Sequence, residues 1–256
     1  MTTSDNTPST GGPSGVSGTK SALPMFFWAW GILTVIGVLL SVFVPHRYMP
    51  HMMSNDGNLA VTTTILFSIC AAPVAAGVYA ASLHILRAYR YRGEGVPPAA
   101  PQIRENTKLL VTWLTASAVL TVFVLVWGLG ALAAENSSSG NPVVVDVTGQ
   151  QWVWTFSYPG THVVSNELYL PDNREVEFRV TSEDVNHGFW VPNFGVQVDA
   201  NPGVWTTIHT TPDKLGTIEV RCEQFCGLNH AFMDAVGHVV TPSQFSAWLA
   251  SQPARA

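Results

Sequence analysis

Charge is what this sequence has least of. Asp, Glu, Lys and Arg make up 11% of its 256 residues, against roughly a quarter in soluble domains, while 47% is hydrophobic. The formal net charge of -5 is small, and no block of basic residues offers a nucleic-acid surface. No internal repeat is visible. Residues 1–20, rich in Ser, Thr, Gly and Pro, lack the positive start and short apolar core of a secretory signal. They carry too little apolar surface to fold, so a disordered tail is expected there. Cysteine is scarce, with three in the chain. Cys70 lies in an apolar stretch, where a small buried thiol is the ordinary reading. Cys222 and Cys226 lie close together in a polar, Gly-containing segment and need another account.

Asp, Glu, Lys and Arg are wholly absent from three long stretches, Ser21 to Pro45, Gly57 to Leu86 and Leu109 to Ala134. Each exceeds the ~20 residues that a helix needs to cross ~30 Å of hydrocarbon. Buried core helices are the soluble alternative, but three such stretches in the first half of one chain argue against it. Membrane helices are therefore expected at about 24–45, 58–87 and 108–134, with Pro73 kinking the second. Together, residues 21–134 would form the membrane anchor.

Arg87, Arg90, Arg92, Arg104 and Lys108 lie between the second and third stretches, whereas the connection from His46 to Asp56 holds only Arg47. By the positive-inside rule the basic loop is cytoplasmic. The tail is then cytoplasmic too, and everything after Ala134 faces outward from a prokaryotic-type cytoplasmic membrane.

After a short Ser-rich linker, Asn136 to Gly140, the texture becomes β-rich. Strands are expected near Val143–Val147, Trp152–Tyr158, Val176–Val180, Val204–Thr210, Thr217–Val220 and Val236–Val240. Turn signals such as Pro159-Gly160 and Asn201-Pro202-Gly203 separate them. This spacing predicts an all-β sandwich or barrel over residues 135–256. A closing helix is expected over Ser243 to Ala250, with Ser243 as N-cap and Phe245, Trp248 and Leu249 on one face.

The segment Cys222-Glu-Gln-Phe-Cys226-Gly-Leu-Asn-His230-Ala-Phe-Met233 places two thiols, an imidazole and a thioether within twelve residues. Soft and borderline ligands of this kind suit copper, and a second thiolate would let both sulfurs bridge two ions. A structural disulfide would explain the cysteines but not His230 and Met233. Zinc sites more often carry closer cysteine pairs and need no methionine. Chance packing on a helix fits poorly with Gly227, Gln224 and Asn229. A second histidine is expected on a separate loop, Asp184-Val-Asn-His187-Gly-Phe-Trp190-Val-Pro192. His162, His209 and His238 have no such partner and read as structural.

These motifs resemble a known family. C-x3-C-G-x2-H-x2-M preceded by D-V-x-H-x-[FW] is similar to the copper domain of cytochrome c oxidase subunit II. The aromatic segment Val147-Thr-Gly-Gln-Gln-Trp152-Val-Trp154 and the acidic loop Gly195 to Gly203 are similar to that family's as well. The resemblance runs in matching order from about Asn106 to the C-terminus. It implies a cupredoxin-like Greek-key sandwich holding a binuclear CuA centre. Cys222 and Cys226 would bridge the coppers, His187 and Met233 would complete one, and His230 with the Gln224 carbonyl would complete the other. Trp152 would be the surface aromatic that receives the electron. Asp199, with Glu183 and Asp184, would lie near the donor-docking and subunit interface.

The implied role is electron uptake from cytochrome c, or a similar soluble donor, for a terminal haem–copper oxidase. Haem and dioxygen reduction would belong to a partner subunit I, with subunit III or small subunits as further partners and the bilayer as host. This chain would transfer electrons and do no bond-making chemistry of its own. The copper-bearing nitric oxide reductases, and a copper-delivery protein that passes no electrons, are the alternatives. Three features depart from the family pattern. Gln224 replaces a glutamate that usually also binds magnesium, so magnesium is not expected. Leu110 stands where a proton-path glutamate is common, with Glu105 only a weak substitute. One membrane helix, Ser21 to Pro45, is extra.

Overall fold

The computed structural model describes residues 19–88, 106–135 and 140–252. The expected tail (residues 1–18 of it), most of the basic loop and most of the Ser-rich linker lie outside the described residues. Three long helices come first: α1 (Thr19–Tyr48), α2 (Asn55–Ala88) and α3 (Thr107–Glu135). They contain candidate spans of 25, 33 and 28 residues, long and apolar enough to cross a membrane. Large apolar side chains such as Phe27, Leu39, Phe43 and Leu114 stand exposed on them, as a lipid-facing surface requires. Pro73 lies inside α2 without ending it.

The chain divides into two compact units, and the division falls within α1 and α2. One unit holds the described residues up to Phe43 and those from Ser68 to Thr107. There, the Trp30 indole N–H donates to the Pro73 carbonyl at 2.8 Å, and Gly37 lets Ala72 approach closely. Cys70 is half-buried on α2, not the buried thiol its apolar stretch would give.

The other unit holds Val44–Phe67 and the described residues from Lys108 onward. Its core is a sandwich built from β1 (Val143–Gln150), β2 (Val153–Tyr158), β3 (Val163–Ser165), β4 (Leu168–Pro171), β5 (Val176–Ser182), β6 (His187–Val191), β7 (Val196–Ala200), β8 (Thr206–Thr210), β9 (Gly216–Cys222) and β10 (Asp234–Val240), closed by α4 (Pro242–Ser251). Two five-stranded sheets run in the orders β3-β2-β1-β5-β8 and β4-β10-β9-β6-β7. Both sheets are mixed: β1 pairs parallel to β5 and antiparallel to β2, and β10 pairs parallel to β4 and antiparallel to β9.

Period-two alternation explains the packing. Val145 and Val147, Trp154 and Phe156, Phe178 and Val180, and Ile218 and Val220 all point inward and are buried. β3, β4, β6 and β7 were not among the expected strands. β3 and β4 have three and four residues, too short for an alternation to stand out. His187, expected on a loop, instead opens β6, and the expected acidic loop is largely β7, which carries Asp199. The N-cap of α4 is Thr241, not Ser243: a reciprocal Thr241–Gln244 capping box leaves Ser243 inside the helix. Phe245 is buried, and Trp248 and Leu249 pack on the core.

The α1–α2 connection is fastened to this sandwich. Met53 N–H donates to the Asn193 carbonyl at 2.7 Å, and Asp213 N–H donates to the Met53 carbonyl at 2.9 Å. Ser54 caps α2, accepting from Gly57 N–H at 3.0 Å while donating to the Phe194 carbonyl at 2.8 Å.

Candidate metal centre

Strand alternation delivers two of the candidate ligands. Ile218, Val220 and Cys222 are the inward positions of β9, so the thiol continues the core face. His187, Phe189 and Val191 are inward positions of neighbouring β6. The strands pair antiparallel with Phe189 opposite Cys222, which carries His187 just past the end of β9. The chain then leaves β9, loops through Cys226, makes a single 3-10 turn at His230–Phe232 and re-enters the sheet at β10.

The loop is pinned at three places. Cys222 N–H donates to the Met233 carbonyl at 3.0 Å, and Glu223 N–H donates to the Gly188 carbonyl at 2.9 Å. The Gln151 side-chain amide donates to the Cys226 carbonyl at 2.7 Å. Gly188 is required for this closure, because a Cβ there would lie 2.9 Å from the Gln224 nitrogen.

Five side chains and one carbonyl converge. The sulfurs of Cys222 and Cys226 lie 3.7 Å apart. Cys222 Sγ is 3.8 Å from His187 Nδ1 and 3.2 Å from the Gln224 carbonyl oxygen. Cys226 Sγ is 3.7 Å from His230 Nδ1 and 3.7 Å from Met233 Sδ. Each sulfur thus has an imidazole nitrogen beside it. His187, Cys222, Cys226 and Met233 are buried, and His230 is half-buried. Both thiols are free, at a separation well beyond the roughly 2.05 Å of a disulfide, so the disulfide alternative is excluded. The donor set of thiolate, imidazole, thioether and carbonyl fits copper better than a hard cation.

Asp184, expected near a docking surface, is exposed and also supports a candidate ligand. Its Oδ1 lies 2.9 Å from His187 Nε2, and its Oδ2 accepts from Gln151 N–H at 2.7 Å. It thereby holds the Nε2–H tautomer of His187 and turns Nδ1 toward the sulfurs. Burial pushes the Asp184 carboxyl up, but the hydrogen bonds from Gln151, His187 and Val185 outweigh it and leave the group below its ordinary range. A depressed carboxyl stabilises above its unfolded value and loses that contribution as pH falls through its lower folded value. The metal-free wild type should therefore melt higher than Asp184→Asn at neutral pH, and the gap should close below the ordinary carboxylate range. Thermal melts at stepped pH check this. Burial, with Cys222 beside it, pushes the Cys226 thiol up to about 12, so metal binding there must displace a proton.

The aromatic residues separate into two roles. Trp154 is fully buried and packs edge-on against His187 at 5.9 Å and Phe189 at 5.6 Å. Trp152 is half-buried, less exposed than a surface aromatic, and packs against the Gly227 backbone beside Cys226. Glu183 and Asp199 are exposed. Phe225, Leu228 and Phe232, which the sequence reading passed over, stand 77%, 90% and 78% exposed on the ligand loop; only their position between ligands could have marked them. His209 pairs with Glu175 at 3.0 Å and His238 with Glu167 at 3.5 Å, both away from the cluster. His162 is exposed and also lies outside it.

A β-sandwich with a buried soft-ligand cluster at the end of adjacent strands defines a cupredoxin-like metal domain. Residues 161–240 match the family of the cytochrome c oxidase subunit II periplasmic domain. The chain is 40% identical over 121 residues to cytochrome c oxidase subunit 2 of Thermostichus vulcanus, covering 47% of this chain and 36% of that protein. It is 31% identical over 192 residues to that of Alkalihalophilus pseudofirmus, covering 72% of this chain and 56% of that protein. The crystal structure of the periplasmic domain of subunit II of cytochrome oxidase from Bradyrhizobium japonicum aligns at 31% identity. That alignment covers 43% of this chain and 92% of that one, with a TM-score of 0.41. Through this domain the chain belongs to the cytochrome c oxidase subunit II family. It spans roughly a third to just over half of the length of these curated relatives. It is a membrane protein with its C-terminal domain on the outer side.

Proposed function

We propose that the chain is the electron-accepting subunit of a terminal haem–copper oxidase. It would take electrons from cytochrome c or a similar soluble donor and pass them to the haem of a separate subunit I, where dioxygen is reduced to water. The observation that carries this reading is the convergence of His187, Cys222, Cys226, His230, Met233 and the Gln224 carbonyl on one buried point. Two copper ions held by these groups, with Cys222 and Cys226 bridging, would supply one-electron redox chemistry. The chain's own part is to hold that geometry fixed. The strand ends and the three pinning hydrogen bonds limit rearrangement, Asp184 orients His187, and burial excludes water from the thiolates.

Trp152, against the ligand loop beside Cys226, is the proposed point of electron arrival. The apolar rim of Phe225, Leu228 and Phe232 is suited to a protein partner, and the exposed Asp199 and Glu183 suit a basic donor. The amide at Gln224 gives no carboxylate for magnesium. The tie between the α1–α2 connection and the sandwich supports an N-terminus on the cytoplasmic side after three crossings. The proposed domain division is a tail, residues 1–20, a membrane anchor, residues 21–134, and a copper domain, residues 135–256.

Trp152→Ala should keep the copper spectrum and slow electron uptake by roughly tenfold or more, about 1.4 kcal/mol of barrier. Stopped-flow oxidation of reduced cytochrome c checks this. The reading as a whole is tested by purifying the chain from its native membrane. A haem-bearing large subunit and cyanide-sensitive cytochrome c oxidation should accompany it; a chain that purifies with neither contradicts the proposal.

A further inference from the structure

The α1–α2 connection carries the His- and Met-bearing segment Pro45-His46-Arg47-Tyr48-Met49-Pro50-His51-Met52. His46, Met49, His51 and Met52 line one cavity of about 270 Å³. The lining includes no carboxylate, and its one cation, Lys214, donates to the Met52 carbonyl at 2.7 Å. Two thioethers and two imidazoles without a carboxylate disfavour hard ions, and the thioethers favour Cu(I). His46, Met49 and His51 are exposed and Met52 is half-buried, so an ion can reach them from solvent.

The cavity also leads somewhere. Pro50 and His51 line a second cavity, of about 360 Å³, which Trp190 and Arg221 also line. Those two residues in turn line a third, of about 330 Å³, into which Cys222, His230 and Met233 face. Three cavities, each sharing two lining residues with the next, thus lie in series from the His/Met connection to the ligand cluster. We propose that His46, Met49, His51 and Met52 bind a Cu(I) ion in transit to the Cys222–Met233 cluster.

The destination rests on the function proposed above; the binding does not. The transfer is a ligand exchange. Bonds from copper to imidazole and thioether break, bonds to the cysteine sulfurs form, each thiol releases its proton to solvent, and no electron moves. The rising ligand strength from thioether to thiolate sets the direction.

The test uses the full chain in detergent with Cu(I) and a chromophoric Cu(I) chelator as competitor. A Cys222→Ser/Cys226→Ser variant should still retain one Cu(I). Adding Met49→Leu, His51→Ala and Met52→Leu should abolish that retention. With the native cysteines and limiting Cu(I), and with each withdrawn sample then oxidised by ferricyanide so that the loaded site loses one electron and shows its spectrum, the same three substitutions should slow formation of the copper spectrum by roughly tenfold or more, and leave its final form unchanged. No Cu(I) retained by the double-serine variant overturns the binding site. Retention with an unchanged loading rate overturns the transit. Retention in a chain that never forms a two-copper spectrum supports this site and sinks the reading of the cluster instead.

Discussion

Replacing either Cys222 or Cys226 by serine should abolish the two-copper spectrum of the proposed centre, and with it the proposed electron transfer to an oxidase subunit. Each sulfur lies beside an imidazole, and each has a further donor within reach, Gln224 carbonyl for one and Met233 for the other. In the proposed bridging arrangement, removing one sulfur would take a donor from both halves of the site at once. A serine hydroxyl is nearly the same size but is a hard, neutral group at neutral pH, and copper affinity should fall by orders of magnitude. The sandwich should survive, because the substitution is almost isosteric and its core lies in the strands. Electron paramagnetic resonance with copper quantitation reads the loss, and circular dichroism shows the fold retained. A two-copper signal persisting in either variant would remove the bridging role.

Gly188→Ala should be the most damaging change at a position that offers no ligand. A Cβ there would meet the Gln224 nitrogen at 2.9 Å and the Glu223 Cβ at 3.2 Å. The first is backbone and cannot swing aside. Either β6 or the start of the ligand loop must move, which breaks the bond from Glu223 N–H to the Gly188 carbonyl. Overpacking of this kind costs about 1–3 kcal/mol, and it falls between His187 on one side and Cys222 on the other. The melting temperature should drop by several degrees, and copper loading should become weak or incomplete. A variant that melts and loads like wild type would mean that the two segments are less tightly apposed than the geometry shows.

The legibility of this site in the sequence was uneven, for physical reasons. Cys222, Cys226, His230 and Met233 stand out because soft ligands are rare and here fall within one loop. The three membrane stretches stand out because the absence of charge over such lengths has few other causes. Asp184 was visible only as a charge near a motif; its bond to His187 depends on a three-residue turn leading into β6 that no periodicity marks. β6 and β7 escaped because His187-Gly-Phe-Trp-Val and Val-Gln-Val-Asp-Ala are short and flanked by Pro192, Gly195 and Asn201, which read as loop. Trp152 and Trp154 are two residues apart, a spacing that would put both on one face of a strand, but Trp152 lies in the turn before β2 and packs on the ligand loop, while Trp154 lies within β2 and is buried in the core. Composition treats them alike. The need for glycine at 188 is a property of two segments 35 residues apart meeting, and nothing local records it.

The central claim is that one buried cluster holds two coppers as a single redox unit. The most direct test is the electron paramagnetic resonance spectrum of the full chain loaded with copper in detergent. One unpaired electron shared equally between two copper nuclei gives a seven-line hyperfine pattern, and that is the predicted result. A four-line pattern from a single copper, or a colourless protein that retains zinc instead, would contradict the account.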